Sequence, residues 1–238
     1  MEKQDIIEMQ KQEESYWWHI SRRFILRSVL DKFIKSKSLQ IVDVGCGTGA
    51  NLKWLNKFGN VIGIDNSQAA VEFCQKYGNA KWGTADRLPF KNDSCDLVTA
   101  FDVLEHMSND TVVLKEWHRV LKIDGYLYVT VPAYQWLFSP HDKQLQHYRR
   151  YLISNLSEKL QKVGFKPIFT SYFFMCTFPV FVIQRIVSQV FNTASGYSKV
   201  SNRINNFLIG LGKTEAWLLK FISFPFGSSI VILAKKND

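Results

Sequence analysis

In the stretch IVDVGCGTGANL, residues 41–52, an apolar run ends on Asp43 and runs into glycines at 45, 47 and 49, with Cys46 between the first two. A strand, a glycine-rich turn and a helix start, in that order, let the backbone approach a ligand closely and turn helix N–H groups toward it. The spacing is G-x-G-x-G rather than the dinucleotide fingerprint G-x-G-x-x-G. Asp65 closes the next apolar run, VIGID, about twenty residues further on, where a carboxylate can accept both ribose hydroxyls of a nucleoside. That acid alone leaves two nucleoside cofactor classes open, and Gly-rich turns also serve plain strand-to-helix packing.

The second group able to do chemistry is made of histidines: His106, His141 and His147, with Asp102, Glu105 and Asp142 beside them in sequence. A histidine titrates at about pH 6.5, so His141 and His147 are the natural catalytic bases where an acceptor must lose a proton, His141 before His147. Tyr148, Arg149 and Arg150 offer contacts to an anionic substrate. Read as structure alone, the same residues are helix-start caps and a hydrogen-bonded surface loop.

Elements that would position these groups alternate along the chain. Strand candidates at 40–44, 60–64, 80–84, 95–100 and 125–131 are separated by helical stretches at 51–58, 67–77 and 109–121. This alternation predicts an α/β fold with a mainly parallel, doubly wound sheet. Gly125, after RVLKID, reads as a helix end leading into a strand. Upstream, SYWWHISRRFILRSVLDKFI (15–34) has near-helical apolar spacing, and Trp18 and Arg22 share a face at i, i+4. Beyond Pro132 the pattern is lost, and PAYQWLFSPHDKQLQHYRRY reads as a long loop over the sheet's C-terminal edge. A helix ending at Gly164, a strand KPIFTSYFF and a last strand at 228–236 complete the order. The expected organisation is a single unit over 1–238, made of a helical cap (1–38), a cofactor-binding core (39–132), a substrate loop and helix (133–172), a helical insertion (173–225) and the last strand (226–238).

Composition narrows the class. The four cysteines form no C-x-x-C pair, which argues against a zinc site or a disulfide framework, so no metal is expected and a reducing cytoplasm is the setting. The first residues, MEKQDIIEMQKQEESY, lack the basic start and apolar core of a signal peptide. The net charge of +9 is regional: residues 1–140 hold 17 Lys/Arg and 17 Asp/Glu, and residues 141–220 hold 11 against 3. Such a field attracts anionic partners. Within it, YFFMCTFPVFVI (172–183) is too short to span a bilayer and contains Pro179. With Arg185, Lys199, Arg203, Lys213, Trp217 and Lys220 downstream it suits a membrane-interface segment, a helical lid or dimer contact being the alternative.

Taken in order, VDVGCGTG, VIGIDNS, GTADRLPF, CDLVTAFDVLEHM and LKIDGYLYVTVP resemble the successive motifs of class I S-adenosylmethionine-dependent methyltransferases over residues 40–132. The resemblance implies a Rossmann-like, seven-stranded sheet, mostly parallel with the last strand antiparallel, carrying a helical insertion before that strand. It implies S-adenosyl-L-methionine as cofactor, held by Asp43, Gly45, Cys46, Gly47 and Gly49 in the first loop, with Asp43 orienting the ammonium. Asp65 and Asn66 would meet the ribose, Asp86 the adenine amino group, and Arg87 and Leu88 the ring. Phe101, Asp102 and His106 would pass under the methionine end, and Trp18 and Arg22 would close over it, the arginine available to the methionine carboxylate.

Looser similarity, in the Trp-rich start, HDKQLQHYRRY and FPFGSSIVILAKK, resembles a bacterial and archaeal branch associated with glycan or lipid modification. The expected activity is methylation of a small-molecule, glycan or lipid-linked acceptor at oxygen or nitrogen, in the cytoplasm or peripherally at the inner face of the membrane, with an anionic membrane surface as a further partner. Nucleic acid is not the expected substrate, because AFDVLEH stands where such enzymes carry an N-P-P-Y-like motif. A non-catalytic cofactor-binding scaffold is the alternative from another class.

Overall fold

The computed structural model describes residues 3–192 and 200–237. In chain order the elements are α1 (Lys3–Ser15), α2 (Trp17–Phe33), β1 (Leu39–Val44), α3 (Leu52–Leu55), β2 (Gly59–Asp65), α4 (Gln68–Cys74), β3 (Asn79–Trp82), β4 (Cys95–Phe101), α5 (Asp110–Val120), β5 (Leu121–Pro132), α6 (Pro140–Gln144), α7 (Ile153–Lys162), β6 (Phe165–Phe173), α8 (Phe178–Val190), α9 (Asn202–Leu218) and β7 (Ser229–Lys236). Seven strands form one sheet in the order β3-β2-β1-β4-β5-β7-β6. β1 pairs in parallel with β2 and β4, while β7 runs antiparallel to both neighbours. The expected mixed α/β sheet is what the chain forms.

Burial follows the strand sequences. Ile41, Val42, Val44, Leu97, Val98 and Ala100 are buried on both faces of β1 and β4, as parallel strands covered by helices require. One core cluster joins Ile25, Leu26, Val29 and Leu30 of α2 to Ile41, Leu97 and Val231, and the other joins Trp117 of α5 to Val42, Val98 and Leu160. Strand order reverses between β1 and β4, so the crevice at their carboxyl ends is the fold's natural ligand site.

The structure departs from the sequence reading at four places. α1 is a helix where only a polar N-terminus was read; Ile6, Met9, Gln10 and Glu13 follow i, i+3, i+4, i+7, and Ile6 packs on Ala70 and Phe73 of α4. α5 ends at Val120 and β5 starts directly at Leu121, so Gly125 lies inside a strand, after Asp124 at φ 63 and beside a register shift against β4. The stretch after Pro132 is not one irregular loop: it holds a 3-10 turn at Gln135–Leu137 and α6, whose capping box pairs Ser139 with Asp142.

The fourth departure concerns the apolar stretch 172–183. Phe173 ends β6 and Phe174 follows it, both buried in the core, so neither can insert into a membrane. Pro179 opens α8, where its fixed φ suits a first turn, rather than interrupting a helix. Glu215 of α9 accepts hydrogen bonds from the backbone N–H groups of Phe174 (2.8 Å) and Cys176 (2.7 Å), fixing the bend between β6 and α8. α9 in turn lies against α2 so tightly that a Cβ on Gly212 would meet Ser21 Cβ at 2.2 Å. Among the described residues, no helix is long and apolar enough to cross a membrane.

Candidate active site

At the mouth of β1 the backbone folds back on itself. Gly45, Gly47 and Gly49 take φ of 70°, 51° and 79°, values that other residues adopt at a cost. A Cβ on Gly45 would meet Val103 Cγ2 at 2.6 Å, so the loop packs directly on the turn after β4. The Gly47 N–H donates to Asp65 Oδ2 (3.0 Å) and the Ser67 N–H to Asp65 Oδ1 (2.9 Å). Asp65 thus ties the β1 and β2 loops together and retains two lone-pair positions for a ligand.

Asp43 is completely buried beneath this loop. The Thr99 hydroxyl donates to its Oδ1 at 2.6 Å, while Oδ2 has no partner among the described residues. Burial pushes the carboxyl up to about 7, against the Thr99 hydrogen bond and the nearby Arg22, which lower it. Asp102, at φ 57, follows Phe101 and pairs with Arg22 at 2.7 Å; the Thr130 hydroxyl donates to it at 3.0 Å. Arg22 lies over the Trp18 ring (5.2 Å) and the Phe101 ring (5.7 Å), and its Nε is buried with no partner among the described residues. The α2 arginine and the β4 turn therefore meet, but the arginine is held by a carboxylate of the chain itself.

Asp86 and Arg87 are exposed in a tight turn closed by Arg87 N–H on the Thr84 carbonyl, above buried Leu88. Asn66 stands at the β2 mouth, its carbonyl accepting from Trp82 Nε1 at 3.0 Å. Cys46 is buried against Gly63.

The histidines occupy a second wall. Asp142 is fully buried and accepts from Ser139 N–H (2.9 Å), Ser139 Oγ (3.0 Å) and Arg150 Nε (2.9 Å), and it meets His147 Nδ1 at 3.0 Å. Burial works to raise this carboxyl, but the hydrogen bonds of His147 and Arg150 hold it well below the usual carboxylate range. Arg185 of α8 donates to Ser139 Oγ at 2.8 Å, and Gln189 donates to the Trp136 and Phe138 carbonyls, so α8 is strapped to this wall. The His147 ring meets His106 edge-on at 4.6 Å between centroids. Burial pulls His141 down to about 4, reinforced by Arg185, and pulls His106 down as well. Both imidazoles are neutral at pH 7.

Arg149 and Arg150 do not reach outward. Arg149 pairs with Asp110 (3.1 Å), as does Lys159 (2.9 Å), and Arg150 is spent on Asp142 and the Ala133 carbonyl. Tyr148 is exposed.

Comparison with known proteins gives this geometry a family. Residues 42–129 match the profile of the methyltransferase domain. The core of this chain is a class I methyltransferase domain. S-adenosylmethionine is the cofactor of that methyltransferase family. An uncharacterized protein of Methanocaldococcus jannaschii is 38% identical over 112 residues, 46% of this chain and 43% of that one. The demethylmenaquinone methyltransferase of Lactobacillus johnsonii is 37% identical over 97 residues, 35% of this chain and 40% of that one. The chain thus spans less than half the length of these curated relatives. Among solved structures, a methyltransferase from Archaeoglobus fulgidus superposes with a TM-score of 0.63 at 19% identity, covering 96% of this chain and 99% of the other.

The methyltransferase residues fit their cofactor by chemistry. A buried carboxylate oxygen on Asp43 and a buried N–H on Arg22 both lack partners among the described residues, and an amino acid's ammonium and carboxylate are the groups that satisfy such a pair. Sequence reasoning missed Thr99, Thr130 and Glu13. Each threonine is a buried hydroxyl inside an otherwise apolar run, LVTAF and YVTVP, which is a readable signal. Glu13 accepts from the Thr48 hydroxyl, and Met9 lies 3.6 Å from a Cβ on Gly47, so α1 covers the glycine loop.

Proposed function

We propose that the chain is an S-adenosylmethionine-dependent methyltransferase acting on a small or lipid-linked acceptor at oxygen or nitrogen. The observation that carries this reading is the convergence of Asp43, Asp65 and Arg22 on one crevice at the strand-order reversal, each with hydrogen-bonding capacity left over. The cofactor supplies a methyl group activated on a sulfonium. Asp65 would hold the ribose hydroxyls, Asp43 the ammonium, Asp86 the adenine amino group, and Arg22 would share its guanidinium between Asp102 and a carboxylate. Positioning dominates such a displacement, being able to supply roughly 7–11 kcal/mol. Burial and Arg185 keep the imidazole of His141 neutral at pH 7, the protonation state a base requires. Calorimetry with S-adenosylhomocysteine tests the site: Asp65→Ala removes charge-assisted hydrogen bonds of about 1.5–3 kcal/mol, so affinity should fall on the order of tenfold to a hundredfold. Unchanged affinity, or equal binding of NAD, sinks the assignment.

The acceptor class is argued from α8 and α9. Val180, Ile183, Val187 and Val190 line one exposed side of α8, with Val180 and Val190 70% and 72% accessible; Phe207, Trp217 and Phe221 are exposed on and after α9. Exposed Arg203, Lys213 and Lys220 lie among them, whereas Lys199 falls outside the described residues. Basic side chains near an anionic bilayer contribute about 1 kcal/mol each, weakened by salt, and buried apolar side chains add a term that salt does not screen. This favours docking on an anionic membrane that carries the acceptor. Sedimentation with phosphatidylglycerol vesicles should fall with salt yet leave a residue, and Ile183→Glu with Val187→Glu should abolish that residue while cofactor binding persists. A wild type that ignores vesicles at low salt removes the lipid-linked acceptor.

A further inference from the structure

Glu105 is the one acidic side chain in the site with no account so far. It is 0% exposed, and neither carboxylate oxygen has a hydrogen-bond partner among the described residues. An ionised carboxylate left that way is costly, so a native structure must either protonate it or supply a cation.

What surrounds it decides between the two. One donor atom each from Glu105, His106 and His147 lies within 4.8 Å of the others. Both imidazoles are already oriented from outside. His147 Nδ1 is bonded to buried Asp142, itself fixed by Ser139 and Arg150, which leaves Nε2 as the nitrogen available to a ligand. His106 is hydrogen-bonded to the Leu145 backbone. A histidine whose second nitrogen is fixed by a carboxylate or a carbonyl is the arrangement that holds a metal-ligating ring in one tautomer. Metal–ligand bonds of about 2.0–2.2 Å put donors roughly 3.5 Å apart, so the widest pair need close by little more than an ångström.

We propose that Glu105, His106 and His147 bind a divalent cation of the zinc or iron(II) class, between the turn after β4 and the turn after α6. Two imidazoles and one carboxylate select borderline cations over Mg²⁺, which prefers oxygen ligands and keeps its waters. Three protein ligands leave positions open for an acceptor hydroxyl. Bound there, the hydroxyl would release its proton to solvent and its oxygen would attack the methyl group with the electron pair left behind: the O–CH3 bond forms as the sulfonium's S–CH3 bond breaks, and that bond's electron pair stays on sulfur, which leaves as the neutral thioether. This chemistry rests on the methyltransferase reading above; the cation site itself does not.

The test is titration of the full, tag-free chain, stripped with chelator, with ZnCl₂ and separately with MgCl₂ by calorimetry, in the absence of cofactor and acceptor. One Zn²⁺ per chain should bind, with Mg²⁺ weaker by on the order of a hundredfold. Glu105→Gln, close to isosteric, and His147→Ala should each weaken Zn²⁺ on the order of tenfold or more. Circular dichroism and thermal unfolding check that each variant folds, and His106→Asn replaces any that does not. Zinc binding that is absent, or unchanged in the variants, overturns the site. Because no cofactor is present, its failure is separate from failure of the methyltransferase reading.

Discussion

The two walls of the crevice handle charge in opposite ways. On the wall proposed for the cofactor, Asp43, Asp65 and Arg22 keep hydrogen-bonding capacity that no described residue fills. On the histidine wall, Asp142 is saturated by Ser139, His147 and Arg150, and Asp110 by Lys159, Arg149 and Tyr151. The first wall is built of backbone turns and can leave its side chains open; the second lies on short helices and turns and draws its rigidity from its own ion pairs. Part of the basicity of residues 141–220 is therefore internal, in Arg149, Arg150, Lys159 and Arg185, while among the described residues Lys143, Lys162, Lys166, Arg203, Lys213 and Lys220 face outward.

Breaking the saturated wall should cost the most. Asp142→Ala leaves Arg150 as a buried charge without its carboxylate, a loss of about 3–5 kcal/mol in chemical unfolding. Asp65→Ala, on the open wall, should cost far less stability and show instead in ligand affinity. If the two variants lower stability equally, the contrast between the walls is wrong.

The next effect is on pH. The Asp43 carboxyl stands at about 7 in the folded chain against an ordinary 3.8, so between those values the native state holds a proton that the unfolded state has released. Stability of the ligand-free protein should consequently fall as pH rises through this window. Affinity for an ammonium-bearing ligand should run the other way, rising up to about tenfold per pH unit toward 7 as Asp43 ionises, then levelling. Calorimetry at several pH values checks this. Asp43→Asn should flatten both profiles, and a slope that survives belongs to another group.

How much of this was legible beforehand differs along the chain. Asp43, the three glycines and Asp65 stand at strand ends, and strands announce themselves as apolar runs; their geometry is local, so sequence spacing carries it. The link from His147 to Asp142 to Arg150 to Ser139 is also short in sequence, but nothing in HDKQLQHYRR signals which charges face inward. That is decided by α8, more than thirty positions on, supplying Arg185. Phe173 and Phe174 were indistinguishable from membrane-facing residues for the same reason: burial there depends on Glu215 holding the bend from another helix. α1 was readable from Ile6, Met9, Gln10 and Glu13, yet its polar composition concealed it.

The smallest expected effect sharpens the role of α1. Glu13→Gln keeps the shape that meets the Thr48 hydroxyl and removes a carboxyl whose pKa burial has raised. Stability should change by less than about 1 kcal/mol in thermal unfolding. A larger loss would mean that the glycine loop depends on α1 for its conformation rather than being merely covered by it.

The contact of Gly212 with Ser21 has a kinetic consequence. Helices packed at backbone distance do not slide independently, so α2, which carries Trp18 and Arg22, cannot swing away from the crevice without taking α9 along. α9 also grips the bend after β6 through Glu215. The door and its hinge post are thus one body, and whatever immobilises α9 from outside lengthens the residence time of anything enclosed behind α2.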